Sequence, residues 1–168
     1  MKLTAKTILL AACVLFMAGC QAAQKPLSQP QLLELAKGHD LVAVFPDGHI
    51  ETYNGRGLGP LITHLQKGNL KNAQMYDKVT GRASALLLAY GGAKSLHTGM
   101  LSQEAVPILE KYNITYTYDK QVPYILNRSK TGSCPMETLV RNLDDAQTAY
   151  PVLKQGFENL ISGGYSGQ

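Results

Sequence analysis

Cysteine is scarce in this chain, and the shortage is informative. Three cysteines occur among 168 residues. Cys13 lies in an apolar leader, Cys20 stands where that leader ends, and only Cys134 lies further downstream. With the leader removed and Cys20 committed to the cut site, no intramolecular disulfide can form in the mature domain. The remaining thiol is either buried and inert or poised for chemistry. Charge of one sign is also lacking. The formal net charge is +4 with neutral histidines; residues 1–19 hold Lys2, Lys6 and no acid, so their removal lowers it from +4 to +2. A nearly neutral chain with no basic run interleaved with aromatics argues against binding driven by phosphate neutralisation, which excludes the usual nucleic-acid binder. No apolar run reaches the roughly 20 residues that a membrane-spanning helix needs. No internal repeat is present, and the length left after the leader suits one compact domain.

The leader itself is orderly. Lys2 and Lys6 form a basic start, Ile8 to Ala18 is apolar apart from the thiol of Cys13, and Ala18-Gly19 places small residues before Cys20. This is the pattern of a secretory signal. With a cysteine at the cut it resembles the lipobox of bacterial lipoproteins, with Met17 in place of the usual branched aliphatic. The resemblance implies removal of residues 1–19 and attachment of palmitate-type chains to Cys20 and its new amino terminus. Several chains anchor stably where one binds only marginally. Gln21 rather than Asp after Cys20 implies, by the same resemblance, the outer membrane with the domain facing the periplasm. The alternative is an ordinary signal peptide that contains a cysteine. Residues 20–29 then form a short polar tether, 30–161 the domain, and 162–168 a Gly/Ser-rich flexible tail.

Along the domain, Ser28 is a candidate N-cap for a helix through Leu32, Leu33 and Leu35, ended by Lys37-Gly38-His39. Leu41 to Phe45 reads as a buried strand, and Ile50 to Tyr53 pairs back across the Pro46–His49 turn. Pro60 suits the first turn of a helix through Leu65. Asp77 is expected to cap a second helix whose Ala83–Ala89 segment is apolar nearly all round and therefore buried. Ala93 to Thr98 reads as a short strand, and Ser102 as the cap of a helix that Pro107 disturbs. Ile114 to Tyr118 alternates as a strand, and Val122 to Leu126 is extended. Cys134 to Leu143 and Ala146 to Ile161 read as helices. This order gives a three-layer α/β/α domain with helices on both faces of a mixed sheet.

Four motifs then stand out: Gly59-Pro60-Leu61; Asp77-Lys78-Val79-x-Gly81-x-Ala83-x-Ala85; Val122-Pro123-Tyr124-Ile125-x-Asn127-Arg128; and Thr131-Gly132-x-Cys134-Pro135-Met136-Glu137. Together, over roughly Leu32 to Val140, they resemble the bacterial domain-of-unknown-function family 1893. The resemblance implies a cytidine-deaminase-like fold and assigns no reaction. Zinc deaminases carry His-x-Glu or Cys-x-Glu at one helix start and Pro-Cys-x-x-Cys at another, so that three ligands leave a position for water. Here Asp77-Lys78-Val79 replaces the first, and Glu137 stands where the second cysteine belongs. The expectation is therefore a domain without metal or other cofactor. His49-Ile50-Glu51 matches His-x-Glu literally but lies at a hairpin. His39, His64 and His97 stand alone.

Lys78 at an expected helix start is disfavoured by the macrodipole. One reading places its ammonium in the vacated metal position against Glu137 or Cys134; the other leaves it in water. Cys134, Lys78 and Glu137 are the catalytic candidates. Cys134 at a helix start is a potential nucleophile, although a lone cysteine more often packs inertly. Asp77, Lys78, Gly81, Asn127, Arg128, Thr131, Cys134 and Glu137 are the candidate ligand-binding residues, and two helix N-termini with Lys78 and Arg128 suggest an anionic small molecule. Tyr112, Tyr116, Tyr118 and Tyr124 can stack a base or serve sheet packing. The leading expectation is a lipid-anchored, zinc-free deaminase-like domain that binds a small ligand or a protein partner. An enzyme using a Cys134/Lys78 pocket comes second, and a diverged zinc-dependent nucleobase deaminase third.

Overall fold

A computed structural model describes residues 25–163 apart from Arg56. The leader, Cys20 and the last five residues of the tail lie outside them. The chain runs α1 (Gln29–Ala36), β1 (Leu41–Val44), β2 (Ile50–Tyr53), α2 (Gly59–Leu65), β3 (Gln74–Thr80), α3 (Arg82–Gly91), β4 (Ser95–Ser102), α4 (Val106–Lys111), β5 (Thr115–Val122), α5 (Pro135–Leu139) and α6 (Ala146–Ser162). The strands form one mixed sheet in the order β2-β1-β3-β4-β5. β1 is antiparallel to both neighbours, whereas β3, β4 and β5 are parallel. Each parallel pair is joined by a crossover helix, as parallel strands require.

Two apolar clusters make the layers. On one face Leu32 and Ala36 of α1 pack against Val42 and Val44 of β1. On the other, Leu41, Ala43, Met75, Leu96 and Leu101 meet the remaining helices. α3 lies innermost, with Leu86, Leu87 and Leu88 fully enclosed; each buried leucine contributes roughly 1.5–3 kcal/mol. α6 packs along α3, and the Tyr90 and Tyr150 rings stack between them with centroids 4.0 Å apart.

The β1–β2 hairpin, α1, α2 and α6 follow the sequence closely. At α1, Gln31 turns back so that its amide oxygen accepts from the Ser28 N–H at 3.0 Å. Pro107 causes no conflict, because a 3₁₀ turn over Gln103–Ala105 precedes α4 and leaves the proline in the first helical turn, where its missing N–H costs no bond. Ser102 caps that 3₁₀ turn through Glu104 N–H, at 3.1 Å. β4 is longer than expected and β5 runs on to Val122.

The expected helix start at Asp77-Lys78 is wrong. Both residues belong to β3, Asp77 paired with Leu41 and Thr98. The neighbouring strands take up the backbone groups a helix would have used, and α3 begins only at Arg82 with Gly81 as its N-cap. α5 is likewise cut back to Pro135–Leu139.

Candidate functional site

A cleft of about 190 Å³ opens where β3 ends and β1 begins, lined by Asp40, Pro60, Asp77, Ser84, Cys134 and Glu137 among others. Stretches distant in sequence meet there: the start of β1, the loop into α2, the β3–α3 junction, Ile125 and the start of α5. Lys78 and Gly81 also line it.

Asp77 is the most strongly desolvated carboxyl group of the cleft. Part of the residue still faces the cleft, but protein atoms crowd its carboxyl group. That desolvation pushes its pKa up to about 6, opposed by hydrogen bonds from Ser84, Thr80 and Val79. Ser84 Oγ donates to Oδ2 at 2.5 Å and Thr80 Oγ1 to the same oxygen at 3.0 Å. Among the described residues Oδ1 receives only the Val79 N–H, at 3.3 Å, so it keeps acceptor capacity.

Glu137 has a different task. Its Oε2 accepts from Arg82 N–H at 2.8 Å and its Oε1 from Ala83 N–H at 3.1 Å. It thereby caps α3 from fifty-five residues downstream and satisfies two donors that a helix start leaves open. Burial raises its pKa, and the Ala83 and Arg82 amides pull it back. Gly81 makes the approach possible: a Cβ there would sit 2.3 Å from Glu137 Oε1. The Arg82 side chain turns away, Nε donating to the carbonyls of Val140 and Leu143, both at 3.0 Å. The α3 terminus, expected to receive an anion, already holds a carboxylate of its own chain.

Lys78 does not take the expected place. Its ammonium donates to Asp40 Oδ1 at 3.0 Å from an exposed position. The pairing raises the Lys78 pKa and lowers that of Asp40. Lys78, Cys134 and Glu137 therefore line one cleft without forming the expected polar cluster. Cys134 is half-buried with a free thiol, and its N–H donates to Ile125 O at 2.9 Å. Asn127 and Thr131 brace a self-contained turn, with Thr131 N–H donating to Asn127 Oδ1 at 3.0 Å. Neither they nor exposed Arg128 lines the cleft.

His64 was not evident from sequence. It is 5% exposed, with Nδ1 2.9 Å from Glu51 Oε2 and 2.7 Å from Tyr53 Oη, and Nε2 3.1 Å from Asn69 O. Tyr53 donates to the same Glu51 oxygen, which lowers the Glu51 pKa despite burial; the Tyr53 pKa is raised by its own burial first and by this bond second. His49 Nε2 lies 3.1 Å from Glu51 Oε1, so the literal His-x-Glu pair sits side by side at the hairpin. Among the described residues, no three His, Cys, Asp or Glu side chains converge as a metal-binding group.

Comparison with known proteins settles the family. The domain of unknown function DUF1893, also called TM1506, matches residues 32–157, well over half of the chain. The chain belongs to this family. A crystal structure of a DUF1893 family protein, TM1506 from Thermotoga maritima, superposes with a TM-score of 0.68 at 24% identity, covering 77% of this chain and 92% of that one. At that identity the likeness bears on the fold. No curated protein matches the chain by sequence.

Proposed function

We propose that this DUF1893 domain is a small-molecule-binding module, deaminase-like in form but working without zinc, held at the bacterial envelope by lipid on Cys20. The observation that carries the reading is Asp77: a desolvated carboxyl with a pKa of about 6, lining a cleft, with Oδ1 only weakly engaged. Such a group rewards a ligand that brings an N–H donor or a positive charge, because unpaired carboxylates in low dielectric are costly.

Among the described residues Asp40, Asp77 and Glu137 line the cleft, and the one lysine that lines it is already bonded to Asp40. That arrangement disfavours phosphates and carboxylates, so the expected preference for an anion is reversed. A neutral amide or a small amine, amidine or nucleobase-like heterocycle fits better in size and charge.

A thermal-shift screen tests this, since a ligand that binds only the native state raises its stability. Amines, amidines and heterocyclic amides should stabilise the protein, and the effect should vanish in Asp77→Asn. Stabilisation by phosphates or carboxylates alone, or hits indifferent to Asp77→Asn, would refute the assignment. Loss of acyl labelling and membrane fractionation in Cys20→Ser tests the anchor.

A further inference from the structure

The segment that leads into α1 is fastened to the sheet. Leu27 N–H donates to Gln74 Oε1 and Gln74 Nε2 donates to Leu27 O, both at 2.9 Å. Gln74 opens β3, beside Ser95 at the start of β4, which in turn pairs with Thr115 at the start of β5. The tether therefore leaves from the end of the sheet where the three parallel strands begin. The cleft lies at the opposite end, around Asp77 and Gly81, about 10 Å and about 23 Å further along the β3 direction by strand rise alone.

Lysines gather at the tether end. Lys67 follows α2, which starts at the cleft and runs away from it. Lys71 and Lys94 sit on adjacent loops: Asn72 N–H donates to Gly92 O and Lys94 N–H to Ala73 O, both at 2.8 Å. Lys25 lies on the tether itself, and all four are exposed. Among the described residues the lysine ion pairs are Lys37–Glu34, Lys78–Asp40, Lys111–Asp144 and Lys154–Glu158, so these four have no acid partner there. Asp47 of the β1–β2 hairpin, Glu110 and Lys111 of α4, and Asp144 and Asp145 ahead of α6 reach the same end; Asp47 accepts from His49 N–H, Glu110 from Tyr116 Oη and Asp145 from Thr148 N–H, while Asp144 pairs with Lys111. The three acids of the cleft lie at the other end.

We propose that this end, carrying Lys25, Lys67, Lys71 and Lys94, is a docking surface for an anionic lipid bilayer and turns the cleft away from the membrane. The choice of a lipid surface rests on the reading that Cys20 is acylated. Cys20 to Leu27 is seven Cα steps, which at roughly 3.5 Å each span no more than about 25 Å. An anchored domain is thus confined close to the headgroups, and its tether end is the part brought nearest to them. Lysines at an anionic bilayer surface are attracted strongly within about one Debye length, roughly 8–10 Å, and weakly beyond it.

Vesicle sedimentation tests the surface without the anchor. The probe is the chain from residue 20 carrying Cys20→Ser. It should bind vesicles of equal parts phosphatidylglycerol and phosphatidylcholine at low salt, come off at high salt, and ignore pure phosphatidylcholine. The triple variant Lys67→Gln, Lys71→Gln, Lys94→Gln should lower that partitioning on the order of 100-fold, while Lys120→Gln with Lys130→Gln leaves it unchanged. Equal binding to pure phosphatidylcholine, an unaltered triple variant, or equal loss in the control pair overturns the proposal. Acyl labelling of the full chain reads Cys20 separately: failed labelling overturns the anchor, and failed vesicle binding overturns the surface.

Discussion

Gly81→Ala should destabilise the domain through a residue 56 positions away in sequence. The backbone at Gly81 is extended, with φ −99° and ψ −174°, so alanine is conformationally acceptable. In isolation the change would stabilise by about 0.4–1 kcal/mol through the unfolded chain. The new Cβ would instead lie 2.3 Å from Glu137 Oε1 and 2.6 Å from Cδ. Glu137 must move, and moving breaks its bonds to Arg82 N–H and Ala83 N–H. Bonds to a charged acceptor are worth roughly 1.5–3 kcal/mol each. Rehydration of a carboxylate that burial disfavours returns part of that, leaving a net loss of about 2 kcal/mol, similar to losing a strong helix cap. Glu137→Ala should cost about the same or slightly more. The decisive variant is the double: once Glu137 is alanine the clash is gone, and Gly81→Ala should cost nothing further. Urea unfolding of the four proteins completes the cycle. Additive losses, or a Gly81→Ala variant as stable as the parent, would refute the capping role of Glu137.

Other perturbations separate the remaining parts of the account. Asp77 has a folded pKa of about 6 against an ordinary 3.8, so between those values the native state keeps a proton that the unfolded state releases. Stability should fall as pH rises through that window, by up to roughly 3 kcal/mol. Burial of Glu137 acts in the same direction, and Asp77→Asn should flatten the slope in urea titrations at several pH values. Lys78→Ala should leave the urea midpoint unresolved from the parent, since its ammonium is exposed and bonded only to Asp40; a marked loss would restore the idea of a buried polar cluster. His64→Ala should cost about 2–3 kcal/mol, because Glu51 loses a partner and the Asn69 carbonyl loses its donor. In the Cys20→Ser chain lacking the leader, Cys134 should be the thiol that reacts with a maleimide, and any ligand that raises the melting temperature should slow the reaction.

The elements that local pattern determines were legible in the sequence. The apolar run Leu41–Val44 with its returning partner, the Ser28 cap and the amphipathic α6 all depend on neighbours a few residues away. Asp77 was misread for a physical reason. Asp77-x-x-Thr80 looks like an N-cap, and its carboxylate does accept from Val79 N–H and Thr80 Oγ1, but such local bonds occur equally where the backbone is extended. The β1 and β4 ladders decide the matter, and neither is visible in the local sequence. The cleft membership of Asp77, Lys78, Gly81, Cys134 and Glu137 followed from placing two motifs side by side. Their bonding did not, because Lys78 finds Asp40 thirty-eight residues upstream and Glu137 finds α3 fifty-five residues upstream. Arg128 and Thr131 share a motif with the cleft residues, yet their turn closes on itself. His64 reaches Glu51 across thirteen residues, with no local signature.

The most direct test of the central claim, that an enclosed Asp77 carboxyl recognises the ligand, is an NMR titration of the Asp77 carboxyl carbon. Without ligand the midpoint should lie near pH 6. A stabilising amine or amidine should lower it, because a cation beside the group favours the carboxylate. A midpoint in the ordinary aspartate range, or one that the ligand leaves unmoved, would contradict the account.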